Sequence, residues 1–155
     1  MYESTIENHL ISTLADDNDL SATVDRYYGA VNELDLVEFV HSKVQAGHEG
    51  VFVRCEEVQP EARDTVGTLY NTRYQLEVVI VANTVKSRHM NEERDTYAVG
   101  KKVLSTAVKN PVTIEGAPRN FYWTGSRSMF RGKQNQEIMV LRLEVPGVVV
   151  DITNS

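Results

Sequence analysis

The side chains best able to bind a metal or attack a substrate are His9, His41, His48, His89 and the single cysteine, Cys55. A zinc-type or nucleophilic site needs such groups at spacings that bring them onto one helix face or into one turn. No two of the histidines stand in an H-E-x-x-H arrangement, and His48-Glu49 lies between Gly47 and Gly50, where a turn is expected. Cys55 ends the run Val51-Phe52-Val53-Arg54-Cys55, which reads as a strand, so a structural thiol is expected and not a nucleophile. Ser126 follows Gly125 without a G-x-S-x-G elbow. Gly125 and Gly132 match neither phosphate-cradling pattern. Asp16-Asp17, Glu56-Glu57 and Glu92-Glu93 are adjacent pairs that point to different faces or start a helix, whereas an acid and a base must converge on one substrate atom. No enzymatic turnover, cofactor or metal is expected.

One cluster does call for a partner. Arg119, Arg127, Arg131 and Lys133 lie near Phe121, Tyr122, Trp123 and Phe130 in a chain whose net charge is −6. Arginine interleaved with aromatics suits a protein interface, suits a nucleic-acid groove, and also suits a solvated loop around one core tryptophan. The net acidity weighs against stable nucleic-acid binding, which draws on a basic surplus. A second polar loop, Gln59 to Thr68, carries Glu61, Arg63 and Asp64 just after Glu56 and Glu57. By charge complementarity, Arg119, Arg127 and Arg131 are expected to meet Glu56, Glu57 or Glu61 of a neighbouring copy, with Arg63 and Asp64 at the same subunit interface. Both loops, Gln59 to Thr68 and Gly125 to Gln136, are expected to lack anchors of their own and to order on a partner.

The elements that must carry these residues can be read from periodicity. Ile6, Leu10 and Leu14 recur every four residues and predict a first helix, closed by Asp16-Asp17-Asn18-Asp19. A short strand is expected over Val24 to Val31 and a second helix over Glu33 to Gln45, with Leu36, Val37, Val40 and Val44 inward. A strand from Val51 towards Val58 and a return arm marked by Leu69, Tyr74, Leu76, Val78 and Ile80 make a hairpin whose tip is Pro60 to Gly67. Val79 and Val81 make that arm apolar on both faces, as in a covered central strand. A helix over Asn91 to Lys109 follows, with Tyr97, Gly100, Val103, Leu104, Ala107 and Val108 as its apolar face. Strands around Phe121 to Trp123 and over Ile138 to Val145 complete the chain. The order predicts one α+β domain over residues 1–155: a mostly antiparallel sheet of four to five strands with two to three helices packed on it. Its core is expected to comprise Ile6, Leu10, Leu14, Val53, Leu76, Val78, Ile80, Val103, Leu104, Leu141 and Leu143.

With 155 residues, 41% hydrophobic and 25% charged, the composition is that of a globular domain. No apolar run approaches the roughly 20 residues of a membrane-spanning helix. Met1-Tyr2-Glu3-Ser4 has no basic flank, so no secretory leader is expected, and the lone cysteine fits folding in a cytoplasm.

The succession of an amphipathic helix, the strand Gly50-Val51-Phe52-Val53-Arg54, a charged loop, the long strand Tyr70 to Val81, a helix over Glu93 to Val108 and a final strand Ile138 to Val145 resembles a known family. It is similar, over roughly residues 3–146, to the tail-terminator proteins of long-tailed bacteriophages, the minor tail proteins of lambda-like and Mu-like phages. The resemblance is to the Mu-like branch above all, in which a strand led by a tyrosine and rich in valine, like Tyr74 to Val81 here, is followed by polar residues and a helix. The resemblance implies a protein without catalytic residues, a monomer in solution or a ring of six on the tail, where the ring stops tube growth and offers a surface to the head connector. Its partners would be the tail tube protein, the head–tail connector and further copies of itself. Its place would be the head-proximal end of the tail, after folding in the bacterial host cytoplasm. Another head–tail joining protein of the same fold is the alternative within this class. Two segments depart from the family pattern: the helix around Leu36 to Val44, and Pro146 to Ser155, which reads as a C-terminal extension beyond the last strand.

Overall fold

In the first helix, α1 (Glu3–Ala15), Ile6, Leu10 and Leu14 are fully buried along one stripe. Removing each such side chain from water contributes about 1.5–3 kcal/mol, and this burial, more than local propensity, holds the helix. The computed structural model describes residues 1–17, 20, 22–29, 32–45, 48–83, 96–127, 130–131 and 136–153, with backbone alone at 33, 83, 130 and 131. After α1 come β1 (Ala22–Arg26), α2 (Glu33–Lys43), β2 (Glu49–Ala62), β3 (Leu69–Asn83), α3 (Thr96–Lys109), β4 (Val112–Ile114), β5 (Ala117–Arg119), β6 (Tyr122–Ser126), β7 (Phe130–Arg131) and β8 (Gln136–Asp151).

The fold is α+β. Its main sheet is mixed, in the order β1-β2-β3-β8-β6, with β7 also pairing β8; β4 and β5 form a separate hairpin. Among the described residues only β1 and β2 run parallel, which requires a crossover, and α2 supplies it. Asn32 caps α2 by accepting a hydrogen bond from the Asp35 N–H at 3.0 Å. The remaining pairs are antiparallel, with Val53 opposite Val78 and Val78 opposite Leu141 through the centre.

Each face of the sheet has its own core. On one, α1 and α3 cover Val51, Val53, Tyr74, Leu76, Val78, Ile80, Leu141, Leu143, Val148 and Val150. On the other, Leu36, Val40 and Val44 of α2 pack with Tyr27 on Phe52, Val79, Val81, Ile138 and Val140. The α3 helix lies close on the sheet at Gly100, where a Cβ would come within 2.9 Å of Met139 Cε. All the expected core residues are buried except Leu104, which is half-buried at the edge of the first core.

Several expectations need correction. The strand expected over Val24 to Val31 is β1, ending at Arg26; Tyr28 beyond it is exposed. The second helix stops at Lys43, two residues short of Gln45. On α3, Tyr97 and Val108 are exposed, and Val99 and Thr96 take their place in the buried stripe; the expected start, Asn91 to Asp95, lies outside the described residues. The tip taken as Pro60 to Gly67 is shorter, because β2 runs to Ala62. The path of the main sheet has five strands, as expected, and the two-residue β7 pairs with β8 off that path. The β4–β5 hairpin was not foreseen: Glu115 and Gly116, both at positive φ, turn it as a two-residue loop. The C-terminal segment is no appendage. The final strand continues past Val145 to Asp151, with Thr72 opposite Val148 and Leu69 opposite Asp151.

Leu76→Ala should lower unfolding free energy by about 2–5 kcal/mol, and Leu104→Ala by clearly less, because its site is already half-open. Urea denaturation of both variants checks the ranking, and equal losses would contradict the burial assigned here. Truncation after Val145 should leave Tyr70 and Thr72 without their ladder partners and lower the melting temperature sharply. An unchanged melt would show that the last part of β8 contributes nothing.

Candidate interaction surface

The α2 helix covers only part of its face of the sheet. Beyond Phe52, Val79 and Val140, alternation places Arg54 and Glu56 of β2, Gln75 and Glu77 of β3, and Arg142 and Glu144 of β8 on that same face. They stand in cross-strand rows. Arg54 is opposite Glu77, and Glu77 is opposite Arg142; Glu56 is opposite Gln75, Gln75 opposite Glu144, and Glu144 opposite Tyr122 of the edge strand. Arg54 is ion-paired with Glu56, and Arg73 lies 3.7 Å from Glu144. Exposed pairs of this kind contribute about 0–1 kcal/mol each, so they shape the surface more than they stabilise it. The signs balance: Arg54, Arg73 and Arg142 against Glu56, Glu77 and Glu144. Arg142 makes no ion pair among the described residues. At the rim of this face Tyr122 is 53% exposed; Trp123, opposite Leu143 and so on the other face of β6, is 59% exposed and is not the core tryptophan that one sequence alternative allowed.

Burial raises the Tyr27 hydroxyl above its ordinary pKa, and the charges of Glu77, Arg127 and Arg54 act on it as well. Arg127 is therefore within electrostatic reach of this face. Its own N–H donates to the Val140 carbonyl at 2.8 Å, just past the end of β6.

The basic residues singled out in the sequence do not form one cluster. Arg119 ends β5, and its guanidinium lies by Gly147, with Nη1 3.9 Å from where a Cβ would stand. Its buried Nε has no hydrogen-bond partner among the described residues. Arg127 sits beside Val140; at about 3.3 Å per residue, the stretch of β8 from Val140 to Gly147 separates the two arginines by roughly 20 Å. Arg131 lies in β7 opposite Glu137, with only its backbone described, and Lys133 lies outside the described residues. The acidic set is divided as well, Glu56 being on the open face of β2 and Glu57 on the opposite one. Glu56 pairs with Arg54, Glu57 accepts from the Met1 amine at 3.1 Å and from the Thr72 hydroxyl at 3.3 Å, and Glu61 is exposed in β2 opposite Asn71.

The loops are also better held than expected. Around the β2–β3 tip, the Arg63 N–H donates to Leu69 O at 2.7 Å and the Ile152 N–H to Thr68 O at 3.0 Å. Asp64 accepts from the Thr68 N–H at 2.9 Å and also from the Thr68 hydroxyl. The tip thus has an anchor within the chain. In the region Gly125 to Gln136, Gly125 and Ser126 belong to β6, and Phe130 and Arg131 pair with β8; 128–129 and 132–135 lie outside the described residues.

The side chains with nucleophilic or metal-binding chemistry are placed structurally. Burial pushes the Cys55 thiol far above its usual range, where it is scarcely ionised at neutral pH. Cys55 donates its backbone N–H to Glu7 at 2.9 Å. His9 bonds the Asn110 carbonyl through Nε2 at 2.8 Å and stacks on Phe121. His41 and His48 are exposed, and His89 lies outside the described residues. Among the described residues no group of three His, Cys, Asp or Glu could hold a metal.

No family model and no curated protein matches this chain. Several solved structures match, and one of them aligns over 94% of this chain and 92% of its own, at 14% identity and a TM-score of 0.45, a likeness that carries no functional argument.

The Asp64 carboxyl is held below its ordinary value of 3.8, first by the Thr68 hydroxyl and then by backbone N–H groups. A carboxyl depressed on folding stabilises the native state above its unfolded pKa and loses that contribution as pH falls through the folded one. Asp64→Ala should therefore unfold at lower urea than the parent chain near neutral pH, and the gap should narrow as the pH drops below 3.8. A gap that does not change down to about pH 2 would show that the carboxylate form is not what holds the turn.

Proposed function

We propose that this chain is a structural virion protein of the tail-terminator kind. It assembles as a hexameric ring on the head-proximal end of a phage tail tube, stops the tube's polymerisation and joins the tail to the head connector. The observation that best supports this reading is the half of one sheet face that α2 leaves uncovered. That half carries alternating rows of opposite charge and is bordered by exposed Tyr122. Aromatic and arginine side chains are the types enriched at protein interfaces. A balanced set of charges suits a protein with a complementary pattern, and it does not suit a phosphate backbone, which needs an excess of cations.

In this reading the partners are further copies of the chain, the tail tube protein and the head–tail connector, with no stable hold on nucleic acid. The chain catalyses nothing; its work is to present surfaces in fixed register. It folds in the host cytoplasm and ends in the virion.

Complementation tests the proposal. Arg142→Glu places a carboxylate beside Glu77 and Glu144 at an exposed position, so the fold should change in stability by less than about 1 kcal/mol. Particles made with this variant should carry tails of uncontrolled length or tails without heads, seen by electron microscopy, whereas the parent gene restores normal tails. Normal tails from the variant would sink the role of this face, and absence of the parent protein from purified tails would sink the function itself.

A further inference from the structure

Two helices turn apolar side chains to solvent, and the charges beside them have opposite signs. On α3, Tyr97, Lys101, Leu104 and Val108 follow one another at steps of four, three and four residues, which places them along one side of the helix. Tyr97 and Val108 are exposed and Leu104 is half-buried, so this side faces away from the sheet. The charged residues of α3 are Lys101, Lys102 and Lys109, all exposed and all basic. Lys101 and Lys109 make no ion pair among the described residues. All three line a groove that Asp16 and Asp17 border from the end of α1, but Asp17 already accepts from the Thr106 hydroxyl at 2.8 Å. On α2, Leu34 is exposed, with Glu38 one turn further on the same side. Tyr28, 81% exposed, borders a groove with Asp35, Glu38 and Phe39. Arg54 lines that groove too, but is ion-paired with Glu56. The exposed acids of α2 are Asp35 and Glu38, and its basic groups, His41 and Lys43, come in the last turn.

The two surfaces look in opposite directions. Val99, Val103 and Ala107 seat α3 on one face of the sheet, and Leu36, Val40 and Val44 seat α2 on the other. A copy carried along the normal of the sheet, without being turned over, therefore brings its α2 towards α3 of the next. Charge separates this pairing from the symmetric ones. Setting α3 against α3 opposes Lys101 and Lys102 to the same lysines, and setting α2 against α2 opposes Asp35 and Glu38 to themselves. Only α2 against α3 opposes acids to lysines, and like charges across an interface are costly. The same pairing brings exposed Tyr28 and Leu34 to the side that carries Tyr97 and Val108, where apolar surface on both copies leaves water.

We propose that copies of this chain join helix to helix, the outer side of α2 on one copy packing against the Tyr97-Leu104-Val108 side of α3 on the next, with Asp35 and Glu38 meeting Lys101 and Lys102. The contact is heterologous, since each copy uses two different surfaces, and such contacts build rings or filaments instead of closed pairs. It deepens the assembly reading above, on which it rests for the expectation of further copies, by naming the contact between them. It concerns self-association alone and does not require that the assembly cap a tail. A symmetric pairing through α3 is the competing arrangement, and it would be indifferent to α2.

Sedimentation velocity over a concentration series tests this on the full chain, with thermal melts to show that every variant is folded. The parent chain should form species larger than a monomer as concentration rises. One variant reverses the acids, Asp35→Lys with Glu38→Lys, and a second reverses the lysines, Lys101→Glu with Lys102→Glu. Each alone should weaken association by at least about tenfold, because each sets like charges against one another. Mixed in equal amounts, the two variants set opposite signs at every contact of an alternating assembly, and association should recover to within about threefold of the parent. Should a reversed chain fail to fold, Leu34→Ser and Tyr97→Ser decide in its place, each weakening association without a change of charge. A parent chain that stays monomeric throughout overturns the proposal. So does either variant associating as well as the parent, or the mixture failing to recover. A mixture that assembles but leaves tails uncapped would instead count against the tail-terminator reading and leave the helix contact standing.

Discussion

The ladder between β3 and β8 holds the molecule together, because every other element is placed by which part of it that element touches. Along Val78 to Ala82 and Ile138 to Leu141 the two strands are apolar on both faces, and they are buried on both. Desolvated strands of this kind need cover on each side, and α3 with α1 supplies one cover while α2 supplies the other. Further along, the pairs Gln75–Glu144 and Glu77–Arg142 put charge on one face only, and there the second cover stops. The crossover helix α2 and the open half-face are thus two consequences of one change in side-chain pattern within a single ladder.

Much of this was legible in the sequence, because hydrophobic period maps directly onto burial. The stripe Ile6, Leu10, Leu14 announced α1, and the two-sided apolar stretch around Val79 announced a covered central strand. Boundaries were less legible. Pro60 and the charged residues after it look like a turn, yet β2 absorbs the proline in a bulge and runs to Ala62 as an exposed arm, where polar side chains cost nothing. Pro146-Gly147 misled in the same way. Gly147, at positive φ, lets β8 irregularly skip a register position and continue, so that Val148 and Val150 enter the first core.

The candidate surface was harder to see, because proximity along the chain is a poor guide to proximity across a sheet. Arg119 and Arg127 are close in sequence but separated by the length of a strand, since β6 turns the chain back along β8 between them. Arg54, Glu77 and Arg142 are far apart in sequence and adjacent in space. A signal for that second group did exist. In β2, β3 and β8 alike, an unbroken apolar run gives way to alternation, at Arg54, at Glu77 and at Arg142. Three strands losing the same face at the same level mark where the cover ends.

That the open face is charged, instead of apolar, also bears on how such a surface can serve assembly. An exposed apolar half-sheet would associate with any similar surface, during folding as well as after it. Rows of alternating sign remain hydrated in the free chain and become favourable only against a partner whose signs are reversed in the same register, so they select partner and orientation more than they add affinity. Exposed Tyr122, at the edge of that face, supplies the non-selective part, contact area that gains from losing water. Because its ring stands at the end of the row that Glu56, Gln75 and Glu144 form, attraction and selection act at the same boundary. A partner drawn in by the aromatic ring is immediately tested for charge register by the face beside it.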